Sequence, residues 1–174
     1  MSAPRPFART YRRLLTQLDG LVALAQRPGE LRVASPRVSD WDVGDQLEHT
    51  LLVEAGVYSY FDRFLAGDAS PGGGPSLAGR LILAVGRIPR GRGRSPELFL
   101  PNRLDSAALT ELAGSTRERF AAFEPGLGAL ASSPGRLPHP FLGGFDVAQW
   151  LRFLDIHRRH HLKLIAAIRA AADS

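Results

Sequence analysis

Residues 146–171, DVAQWLRFLDIHRRHHLKLIAAIRAA, decide the fold of this chain. Apolar side chains recur there at three- and four-residue spacing, the period of a helix with one buried face. Asp146 stands where an N-cap belongs and no proline interrupts the run, so the spacing predicts a helix to about Ala171. At 100° per residue, with Trp150 at zero, Leu154 falls at about 40°, His157 at about 340°, His161 at about 20° and Ile168 at about 0°. Two imidazoles therefore ride on the centre of the apolar stripe. His160 falls at about 280°, a boundary position, while Arg159 and Lys163 lie on the opposite side.

Working outward, Tyr11, Leu14, Leu18 and Leu21 mark a helix over 7–25, which RPGE stops. A longer one is expected from about Asp40 to Ala66, with Ser39 as N-cap, Asp42 at the third helical position and Gly67 as the stop. Asp105 caps a third over 105–124, and 77–88, LAGRLILAVGRI, reads as a short helix. Strand alternation is hard to find. The connection 68–76, DASPGGGPS, lacks the Lys and Ser/Thr of a phosphate-binding loop and reads as a linker. Segment 89–103, PRGRGRSPELFLPNR, reads as an extended surface arm, and 125–144 as a second Gly/Pro-rich connection. Four helices in one domain spanning 1–174 predict an all-α four-helix bundle with long Gly/Pro-rich connections, a fold that places cofactors on inward faces.

Composition narrows the chemistry. Cysteine is absent, which excludes disulfides, protein thiolates and Cys-based zinc sites and leaves His, Asp and Glu as strong metal ligands. The N-terminus has no apolar signal-peptide core and no run of 18 apolar residues occurs, so a cytoplasmic protein without a membrane span is expected. The net charge of +5 comes almost wholly from arginine, since Lys163 is the single lysine. Arg87, Arg90, Arg92, Arg94 and Arg103 form a basic run with Phe99 as its lone aromatic, so it lacks the stacking partners of single-strand binders. A solvated loop is the favoured reading, and nucleic acid is not the expected partner. The alternative function is a non-enzymatic binding module that uses segment 87–103 to contact nucleic acid or a protein.

His157 and His161 are one turn apart and can converge on one ion, the geometry of H-x-x-x-H metal sites. Arg158 occupies the place of the Glu in H-E-x-x-H, which argues against a zincin protease. On the second helix His49 shares a face with Val53, Gly56, Val57, Tyr60 and Phe64, so its ring also points toward the core. An unsatisfied buried ring costs about 1–3 kcal/mol, a cost that a shared ion removes. The plainer alternative is a hydrogen-bonded polar cluster. Asp45, one turn before His49, is either a carboxylate that orients its ring or a solvated helix residue.

The segments SDWDVGDQLEHTLLVE (39–54) and HPFLGGFDVAQWLRFLDIHRRHHLKLI (139–165) resemble the DinB-like superfamily of four-helix metalloproteins. That superfamily includes YfiT-like metal hydrolases and thiol-dependent transferases. The second segment is most similar to an uncharacterised branch with an H-P...W...H-x-x-H-H pattern. The resemblance implies a divalent metal, zinc or nickel, held by His49, His157 and His161. It also implies a hydrolase or thiol-dependent transferase acting on a small molecule, and a homodimer formed through helix faces. The thiol would be external and of low molecular weight, because the chain has no Cys. Leu164 departs from the family pattern, which carries Gln three residues after the last ligand. His139, in the HP loop, is either a fourth ligand or proton-transfer group at the mouth of the site, or a loop residue beside a turn proline. No residue stands out as the general base.

Overall fold

The computed structural model describes residues 2–89 and 95–173. The chain is mostly helical: α1 (Arg5–Ala25), α2 (Pro28–Leu31), α3 (Val43–Ala66), α4 (Leu77–Val85), α5 (Ser106–Ala121), α6 (Leu127–Ser132) and α7 (Val147–Ala172). Two short strands, β1 (Leu137–His139) and β2 (Gly143–Phe145), precede α7. Among the described residues, no helix is long and apolar enough to cross a membrane.

Side chains settle the helix starts. Asp146 accepts the Gln149 N–H at 2.8 Å while Gln149 accepts the Asp146 N–H at 3.0 Å, so two orphan donors of α7 are satisfied reciprocally. Asp42 and Asp45 do the same for α3, at 2.8 and 3.3 Å. This box moves the start of α3 from the expected Asp40 to Val43 and takes the capping role from Ser39. The Ser39 hydroxyl oxygen instead accepts the Trp41 N–H and the Gln46 side-chain amide, at 3.1 and 2.9 Å. Asp105 caps α5 through the Ala108 N–H, as expected, and Gly67 ends α3 at φ 79°.

Two connections depart from the sequence reading. Residues 137–145 form an antiparallel hairpin with Leu137 opposite Phe145 and His139 opposite Gly143. Strands of three residues are too short for alternation to show. The 68–76 segment is not a free linker, because Ser70 pairs with Arg136 and Pro75 with Gly143 along this hairpin. Gly143, at φ 84°, lies so close that a Cβ there would come within 2.6 Å of the Ser76 nitrogen, which explains its glycine.

The long helices pack in a closed circuit: α1 lies chiefly against α5 and α7, and α3 against the same two. Their shared core contains Tyr11, Leu14, Leu18, Leu51, Phe61, Phe120, Trp150 and Leu154. One ion pair runs through it. Arg158, wholly buried, forks onto Glu54 with Nε to Oε1 at 2.6 Å and Nη2 to Oε2 at 2.5 Å. Its Nη1 donates to the Leu14 carbonyl, and the Tyr58 hydroxyl donates to Glu54 Oε2 at 2.6 Å. Burial, then the Glu54 carboxylate, push Tyr58 well above its ordinary value, so it stays a donor. Helices α1, α3 and α7 are thus joined at one point.

Removing one partner leaves the other charge buried and uncompensated. Glu54→Leu is expected to lower the free energy of urea unfolding by about 3–5 kcal/mol, with much of the loss recovered in the double variant Glu54→Leu/Arg158→Met. A loss below about 1 kcal/mol in Glu54→Leu would contradict this role for the pair.

Candidate metal centre

The apolar stripe of α7 turns His157 and His161 inward, and α3 presents His49 to them from the facing side. All three are buried, and their candidate ligand atoms lie within 4.8 Å of one another. The Arg158–Glu54 pair, one residue from His157 and five from His49, holds the two helices in this register.

Hydrogen bonds decide which nitrogens face the centre. His49 Nδ1 lies 2.7 Å from the Phe99 carbonyl oxygen, which can only accept, so this nitrogen carries the proton and Nε2 carries the lone pair. His161 Nδ1 lies 2.7 Å from Gln46 Oε1, whose amide is oriented by the donation from its Nε2 to Ser39. In this arrangement His161 Nε2 is also a lone-pair donor. His49 Nε2 and His157 Nε2 lie at hydrogen-bond distance, 3.3 Å, while His157 Nδ1 has no hydrogen-bond partner among the described residues.

Two nitrogens bound to one tetrahedral ion at about 2.0–2.1 Å stand about 3.3 Å apart. The His49–His157 separation matches that edge, and the donor set is three neutral imidazoles, a set that divalent transition ions accept. These residues fit a divalent ion. Burial lowers His49 and takes His157 well below the usual imidazole value of 6.5, and it takes His161 down to about 2. Neighbouring imidazoles add to the effect at His157 and His161. At neutral pH all three rings are therefore in the ligating form.

The other candidate residues lie around this group. Asp45 is buried and hydrogen-bonds to the Asp42 backbone, so it is neither solvated nor the hydrogen-bond partner of His49; the Phe99 carbonyl has that role. His160 sits at the half-buried edge of the stripe, edge-on to His161 with centroids 5.1 Å apart. His139 lies outside the ligand group. It stacks on Trp150 at 5.4 Å, with the Phe153 ring in contact with both it and His157. Its Nδ1 accepts the Phe141 N–H, and burial takes it down to about 4.

Gln46, Trp41 and Phe99 complete the surroundings and escaped the sequence reading. Gln46 had a signal, since it precedes His49 by three residues and shares its side of the helix. Trp41 packs its ring on His49 at 4.9 Å. The Phe99 contribution is a backbone oxygen from a distant turn, which no side-chain pattern marks. That turn, Glu97–Phe99, belongs to the expected arm, and Glu48 ties the following residues down by accepting the Asn102 and Leu104 N–H groups at 2.7 and 3.0 Å. Within the expected basic run, Arg103 pairs with Asp42, whereas Arg90, Arg92 and Arg94 lie outside the described residues. Compared with known protein families, curated proteins and solved structures, the chain matches none.

Because the folded chain keeps these rings neutral while the unfolded chain protonates near 6.5, the unfolded state binds more protons below that value. Stability of the metal-free protein is therefore expected to fall as pH drops from about 6.5 toward about 4, with a shallower slope in His161→Gln. Urea midpoints across this range check it. Equal slopes in the two proteins would show that His161 does not contribute.

Proposed function

We propose that this chain is a DinB-like four-helix metalloprotein in which His49, His157 and His161 hold a divalent ion, zinc or nickel, for chemistry on a small molecule. The observation that carries this reading is the fixed pair of tautomers: Phe99 and Gln46 hold the Nδ1–H groups, so Nε2 of His49 and of His161 carries the lone pair that an ion would take, in place of the His49–His157 contact.

When bound, such an ion supplies a Lewis acid with an open coordination position, able to acidify water or to accept a thiolate. The chain supplies orientation and exclusion of water. Gln46 and Phe99 hold the rings, while Trp41 and Phe153 pack against His49 and His157. No carboxylate belongs to the ligand group. Three neutral ligands leave the full positive charge of the ion available to an anionic nucleophile, which suits hydrolysis or transfer to an external low-molecular-weight thiol. The absence of cysteine means that the thiol is a substrate.

Protein purified without an affinity tag, incubated with zinc or nickel and desalted, is expected to retain about one ion per chain by elemental analysis, and His49→Ala and His157→Ala to retain almost none. Gln46→Leu is expected to weaken binding by about 10–100-fold while leaving the ligands in place. Metal-free wild type after such loading, with folding intact, would overturn the proposal and leave the histidines as a polar core cluster.

A further inference from the structure

The face of α7 turned away from the histidines carries a second concentration of chemistry. Arg152, Asp155, Arg159 and Lys163 fall on a stripe centred about 180° from the His157–His161 face. With Arg13 from α1 and Arg87 just beyond α4 they line a pocket of about 430 Å³.

The charges in this pocket do not balance. Among the described residues Asp155 is its only acidic lining residue, and it is shared by three guanidiniums: Arg13 at 3.0 Å, Arg152 at 3.4 Å and Arg159 at 3.0 Å. The Arg13 contact is ionic without an aligned hydrogen bond, because Asp155 Oδ1 lacks a hydrogen-bond partner among the described residues. Its donor capacity is not spent on the carboxylate. Arg87 and Lys163 are exposed and have no ion-pair partner among the described residues. Gly86, which ends α4 at φ 71°, brings the chain close enough that a Cβ there would come within 2.9 Å of Arg152 Nη2. Arg87 follows directly and lines the same hollow.

One carboxylate cannot neutralise five cations. A concave surface of one sign focuses its field, and guanidinium forks match phosphate oxygens geometrically. We propose that this pocket, on the opposite face of α7 from the candidate metal centre, binds a small, multiply charged phosphorylated anion. The convergence of its cations from three elements on one point favours a compact ligand over an extended polymer. Asp155 gathers Arg13, Arg152 and Arg159 around one carboxylate against their mutual repulsion, so that an entering anion meets donors already held in position.

The test uses calorimetric titration of inorganic pyrophosphate into the full chain freed of metal by a chelator, at low ionic strength. Saturable binding is expected. The double variant Arg87→Glu/Lys163→Glu, which breaks no ion pair described in the fold, is expected to weaken it by about tenfold or more while leaving metal retention and thermal stability unchanged. Lack of binding, equal affinity in the double variant, or binding that appears only with metal restored would each overturn the proposal. Tighter binding of a short single-stranded oligonucleotide than of pyrophosphate would overturn it in favour of a nucleic-acid surface.

Discussion

A buried guanidinium with a single carboxylate partner organises this molecule. Arg158 sits at the centre of the helix circuit with no exposure to water, so its charge must be met inside the protein. Glu54 meets it with two parallel hydrogen bonds, Tyr58 supports Glu54, and the Leu14 carbonyl takes a further donor. A bidentate pair has little tolerance for sliding or rotation, unlike apolar packing, which accepts several registers. Fixing α3 to α7 at Glu54 and Arg158 fixes the histidines beside them. The candidate metal centre inherits its geometry from a pair that is not part of it.

The electrostatics follow the same division. On the inward side α7 presents neutral imidazoles, kept neutral by burial, next to a cation whose charge is already compensated. On the outward side it presents Arg152, Arg159 and Lys163, whose charges exceed what Asp155 can neutralise. One helix thus separates a donor set suited to a metal cation from a surface suited to anions. The separation depends on the 3.6-residue period alone, since neighbours in sequence such as Arg158 and Arg159 serve different faces.

Much of this was legible in the sequence. The long helices, the Asp105 and Asp146 caps and the inward turn of His49, His157 and His161 all follow from spacing, because a helix converts sequence intervals directly into directions. The start of α3 was displaced because Asp42 and Asp45 can cap each other, a reciprocal bond stronger than the single one Ser39 offers. In the sequence Arg158 marks only the absence of a catalytic Glu, since arginine is ordinarily a surface residue and its burial depends on Glu54 arriving from another helix. The Phe99 carbonyl and the strand pairings of the 68–76 segment are backbone features of the tertiary fold, and residue identity does not encode them locally.

The central claim is that three Nε2 atoms, two of them fixed by hydrogen bonds on the far side of their rings, converge on one ion. Anomalous diffraction at the zinc edge from crystals of zinc-loaded protein tests it most directly. The account predicts one strong peak bounded by His49, His157 and His161, with Gln46 and the Phe99 carbonyl still bonded to the Nδ1 atoms of His161 and His49. A peak elsewhere, or no peak among these rings in loaded crystals, would contradict it.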